Sequence, residues 1–115
     1  MIKLIKNSEG KKREISKSYV ITNLLTKEIC ENVSLVESDA KNHQEITKGK
    51  GNDRVYYILE GKMDIINEEK KMTAEKGDVI FISKDTEYEF EGTFKAIIVN
   101  VPAFDPKFDE TKVVR

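Results

Sequence analysis

The chain of 115 residues has no tryptophan, one cysteine, one histidine and two prolines, and its longest apolar run, Val55 to Leu59, is five residues. Each shortage excludes something. Five residues fall far short of the roughly 18–20 that cross a membrane as a helix. Lys3 and Lys6 interrupt the first aliphatic residues before they form a signal-peptide core. The expected protein is therefore cytoplasmic, with no membrane partner. A lone Cys30 allows neither an internal disulfide nor a cysteine-based zinc site, which suits a reducing compartment. Neither sign of charge is in excess: 20 Lys and Arg face 21 Asp and Glu, for a net charge of −1. Such a balance lacks the basic footprint of a nucleic-acid partner.

What is present points to one all-β domain spanning residues 1–115. Apolar residues come in strand-length runs: Tyr19 to Leu25, Val33 to Val36, Val55 to Leu59, Met63 to Ile66, Val79 to Ile82 and Ala96 to Val101. Turn chemistry separates them at Glu60-Gly61, Lys76-Gly77-Asp78, Ser83-Lys84-Asp85 and Glu91-Gly92. In Lys62 to Ile65 and Glu87 to Glu91 polar and apolar residues alternate, which turns Met63, Ile65, Tyr88 and Phe90 inward. Val55 to Leu59 does not alternate and reads as a strand covered on both faces. Its outward residues Val55, Tyr57 and Leu59 would leave an apolar stripe in water, so a homodimer is expected. Thr26 to Asn32 carries only a weak helical pattern. Asp39 to Asp53, polar and with two glycines, reads as a long loop of the kind that is mobile or functional.

That loop holds His43, the one imidazole and so the best general acid or base on offer, with Glu45 two residues on as its nearest carboxylate. The bland reading of His43 is an ordinary surface residue. Lys48-Gly49-Lys50-Gly51 has neither the spacing nor the strand-to-helix context of a phosphate loop and reads as a solvated tip.

Val-Tyr-Tyr-Ile-Leu-Glu-Gly at Val55 to Gly61, followed by Lys76-Gly77-Asp78-Val79-Ile80-Phe81-Ile82, resembles the paired motifs of the cupin superfamily. The resemblance covers about residues 33–104, leaving N-terminal strands within 1–32 and a short tail at 105–115. It implies a cupin-type double-stranded β-helix, a jelly-roll barrel, whose first motif folds as two strands meeting at a Gly61 turn. Metal-binding cupins supply two histidines and a glutamate from the first motif and a histidine from the second. Counting from Gly61 and Gly77 places Arg54 and Tyr88 at two of those positions and no ligand at the His-x-His pair; a register shifted by an insertion would put His43 and Glu45 at that pair but leave Arg54 and Tyr88 at the other two, so neither a metal nor another cofactor is expected. A guanidinium cannot ligate a cation. In the cupin register Arg54, Tyr56, Tyr88, Phe90 and Met63 line the barrel, with Arg54 either an anion clamp or an ion-pair partner of Asp53 or Asp64. Three functions follow. The first is a metal-free protein that binds a small anionic or sugar-like molecule. The second is a metal-independent sugar or sugar-nucleotide isomerase or epimerase, with His43 as the candidate catalytic residue. The third is a structural or assembly protein with a filled barrel.

Overall fold

The computed structural model describes residues 1–115. It contains eight antiparallel strands: β1 (Lys11–Ser16), β2 (Tyr19–Leu25), β3 (Ser34–Gly49), β4 (Asp53–Asn67), β5 (Lys70–Glu75), β6 (Val79–Ile82), β7 (Glu87–Val101) and β8 (Asp109–Val113). Two single-turn 3-10 helices at Asn7–Glu9 and Pro106–Phe108 are the only helical elements. No helix is long and apolar enough to cross a membrane.

Three strands of 15 or 16 residues organise the molecule. Each runs through two halves of a folded sheet. In one half the order is β1, β2, the start of β3, the end of β7, the start of β4 and β6; in the other it is β8, the end of β3, the start of β7, the end of β4 and β5. The bends fall where registers slip: between Ala40 and His43 in β3, and between Ile58 and Glu60 in β4. Glycine permits the close approach there. A Cβ on Gly61 (φ +81) would meet the Thr93 carbonyl oxygen at 2.2 Å, and one on Gly92 (φ +140) would meet that of Lys62 at 2.4 Å.

The two halves close over a core in which Tyr56, Ile58, Met63, Phe90, Phe94 and Ala96 are essentially inaccessible. The expected all-β jelly roll is the observed architecture. Two details differ. Glu60-Gly61 and Glu91-Gly92 are bends inside β4 and β7, because glycine at a bulge and glycine in a turn look alike in sequence. Most of the expected loop at 39–53 is the second half of β3. Its inward positions are His43, Glu45 and Thr47, buried polar residues that hydrophobic periodicity does not register. Residues 26–32 form a single turn, with Cys30 N–H donating to the Thr26 carbonyl, and no α-helix.

Candidate active site

A cavity of about 460 Å³ opens between the two halves. Tyr19, Ile21, Val36 and Ile98 give it an apolar side, while Glu45, Thr47, Arg54, Asn100, Asp109 and Thr111 give it a polar one. Arg13, Glu14 and Phe104 stand at its margin, with the Arg13 guanidinium 5.9 Å above the Phe104 ring. Of the residues expected to line the barrel, Arg54 and Tyr56 reach the cavity wall. Tyr88, Phe90 and Met63 are packed in the core behind it.

Arg54 is held by three side chains of the protein itself. Its Nε donates to Asn100 Oδ1 at 2.7 Å, Nη1 to the Tyr88 hydroxyl at 3.1 Å and Nη2 to Asp109 Oδ1 at 2.9 Å. The expected partners are otherwise occupied: Asp53 accepts from the Lys84 N–H, and Asp64 from Thr73. Asp109 arrives from β8, a strand hidden in what reads as a tail, and its second oxygen accepts from Thr111 at 2.7 Å. Because the Thr111 hydrogen is used there, Thr47 supplies the hydrogen of the 2.9 Å bond between the two threonines.

The tyrosines continue this network. The Tyr56 and Tyr88 hydroxyls lie 2.5 Å apart. Tyr88 also accepts from Arg54, either phenol can supply the hydrogen of the bond between them, and of the two residues Tyr56 is the one on the cavity wall. Burial, above all, raises the phenols of Tyr19, Tyr56 and Tyr88 over the ordinary value of 10.0, with nearby Glu45 adding to the effect on Tyr19. They are hydroxyl donors at neutral pH and cannot serve as bases. A folded-state pKa above the unfolded one means that this stability is complete below the unfolded value and is lost as pH rises. Thermal or urea denaturation should therefore show declining stability once pH passes about 10, the unfolded phenol value. Equal stability well above that pH would contradict the neutral, buried phenols.

The strongest chemical feature is at the bend of β3. His43 is inaccessible to solvent and stacks on Tyr19, ring centroids 4.3 Å apart and planes within 9°. Its Nε2 lies 2.6 Å from Glu45 Oε1, and its Nδ1 lies 2.7 Å from Ser18 Oγ. Glu45, by contrast, is on the cavity wall. The pair thus places a carboxyl group at the cavity with an imidazole directly behind it. Sequence spacing offers His43 and Glu45 as neighbours. It cannot show that both point inward.

Many cupins hold a divalent metal, and this donor set does not fit one. No three His, Cys, Asp or Glu side chains converge. His43 and Glu45 bond to each other, and the guanidinium of Arg54 occupies the polar wall.

The family model of the ethanolamine utilisation protein EutQ matches residues 2–104. The chain belongs to the EutQ family. Solved EutQ structures agree: that from Salmonella typhimurium is 25% identical, with a TM-score of 0.67 over 75% of this chain and 71% of that one. Clostridium difficile EutQ is 26% identical, with a TM-score of 0.65 over 76% of this chain and 66% of that one. The barrel of Streptomyces PAC13, in a tyrosine-to-phenylalanine variant with uridine, superposes with a TM-score of 0.84 over 98% of this EutQ-family chain and 92% of its own, at 13% identity. PAC13 is described as a unique nucleoside dehydratase. At that identity the likeness shows the cupin fold, which ectoine synthase of P. lautus also shares. No curated protein matches the chain by sequence.

Proposed function

We propose that this EutQ-family cupin is a metal-independent enzyme that moves a proton on a small, neutral, polyhydroxylated carbonyl compound. The observation that carries the reading is Glu45, which faces the cavity and shares a 2.6 Å hydrogen bond with the buried His43. Glu45 takes a proton from the carbon beside the carbonyl, and the electron pair moves onto the carbonyl oxygen as an enolate. The Tyr56 hydroxyl donates a hydrogen bond to that oxygen. In an isomerisation the hydroxyl on the deprotonated carbon becomes the new carbonyl and passes its proton to the former carbonyl oxygen, while Glu45 returns the carbon-borne proton to the former carbonyl carbon; in an elimination the hydroxyl on the next carbon leaves as water with the proton Glu45 took.

The cavity favours a sugar- or nucleoside-like ligand over an anion. One side is apolar, and the polar side carries hydroxyls, an amide and carboxylates. Arg54 is already paired with Asp109, so the wall has no free cation in the position expected for an anion clamp. PAC13, with the same fold, is solved with uridine. A thermal-shift screen should rank neutral aldoses, ketoses and nucleosides above phosphates and carboxylates of the same size. The reverse ranking would overturn this choice of ligand.

The partner proposed is a second copy of the chain. Tyr57, Val79, Phe81 and Val101 are about half exposed or more on neighbouring strands β4, β6 and β7, and half-buried Val55 and Val99 lie between them. A contiguous apolar face of this kind usually marks an interface, and a two-fold dimer covers it with itself. Light scattering should give the dimer mass at micromolar concentration. Phe81→Lys should give a folded monomer, and a monomeric wild-type protein would refute the dimer.

A further inference from the structure

Ser18, in the turn between β1 and β2, sits on the far side of His43 from the cavity, and its hydrogen bonds determine where the protons of that ring lie. A serine hydroxyl has one hydrogen. Ser18 Oγ donates it to the backbone oxygen of Arg115 at 2.8 Å, an atom that can only accept. Ser18 Oγ is then an acceptor toward its other two neighbours, the Ser16 hydroxyl at 3.0 Å and His43 Nδ1 at 2.7 Å. Nδ1 must carry a hydrogen. The whole arrangement is fixed from outside, since the Arg115 backbone pairs with Gln44 and its guanidinium bonds Asn42 and Glu91.

We infer that Ser18 is a positioning residue that holds the His43 proton on Nδ1 and so leaves one mobile proton between Nε2 and Glu45. With Nδ1 always a donor, the proton at the other nitrogen can sit on imidazole or on carboxyl without an atom moving far, and Glu45 presents either a base or an acid to the cavity. Without Ser18 the imidazole is free to take the other tautomer, with its hydrogen on Nε2 and committed to a Glu45 carboxylate. The acid form of Glu45 is then lost. The consequence for catalysis rests on the function proposed above, whereas the protonation assignment stands on geometry alone.

Because His43 is the only histidine, its ring nitrogens are observable without assignment in a protein labelled with ¹⁵N-histidine. Long-range proton–nitrogen spectra of the ligand-free wild type should show Nδ1 protonated. Ser18→Thr, which keeps the hydroxyl, should give the same Nδ1 signal. Ser18→Val, which fills the space without an acceptor, should move Nδ1 into the range of an unprotonated imidazole nitrogen. An unprotonated Nδ1 in the wild type overturns the inference, and that result needs no variant to fold. So does an unchanged Nδ1 in a folded Ser18→Val protein. If the spectra agree but no ligand turns over, the enzymatic reading fails and the positioning role stands.

Discussion

Arg54→Ala is expected to lower the stability of the protein by about 3–5 kcal/mol, the range seen when one partner of a buried ion pair is removed. The Arg54 and Asp109 side chains are only 9% and 17% exposed, so the carboxylate left behind has little water to replace its partner. Asn100 and Tyr88 each lose one hydrogen bond in the same step, though Asn100 keeps the one from Asn52 and Tyr88 the one with Tyr56. For a domain of this size the melting temperature should fall by roughly 10–20 °C. Asp109→Ala in the same background should recover part of the loss, because it removes the stranded charge. Calorimetry of the two single variants and the double variant measures this directly. A melting temperature of Arg54→Ala within a degree or two of the wild type would mean that the network does not hold the barrel together. The same reasoning makes Arg54→Ala a poor probe of ligand affinity, since it disturbs β8 as well as the cavity wall.

The strands that bury apolar side chains were legible in the sequence. Met63, Ile65, Tyr88 and Phe90 alternate with charged residues and do point inward. The polar half of the barrel was not legible by that route. From Ser34 to Gly49 the inward set is Ser34, Val36, Ser38, Ala40, His43, Glu45, Thr47 and Gly49, which has the period of a strand but almost no hydrophobic contrast. One extra residue at Lys41–Asn42, which together lie opposite Thr93 alone and where Asn42 has a positive φ, also shifts the phase halfway along. Asp109 and Thr111 alternate in the same hidden way on β8, and their partners Arg54 and Thr47 lie more than fifty residues upstream. Such long-range polar pairing has no local signature. Ser18 was out of reach for the same reason: its role comes from closure of the barrel, which brings it within 2.7 Å of His43.

Glu45→Gln is expected to reduce turnover by about 10²–10⁴-fold, the usual contribution of a positioned acid or base. Glutamine keeps the size of the side chain and can still hydrogen-bond His43, so the fold and the cavity should survive, and affinity for a neutral polyol should change little. The loss belongs in kcat. His43→Gln should show a smaller loss, since Glu45 remains at the cavity but without the partner that exchanges its proton. Equal activity of Glu45→Gln and wild type would remove Glu45 from the mechanism.

Proton abstraction by Glu45 is read out directly by hydrogen exchange at carbon. The purified protein, with EDTA present, is incubated in D₂O with the carbonyl-bearing polyols that stabilise it against heat, and the products are followed by proton NMR. The wild type should place deuterium on the carbon beside the carbonyl of at least one of them, and Glu45→Gln should not. Tight binding in the cavity with no exchange by the wild type, or equal exchange by Glu45→Gln, would contradict the account.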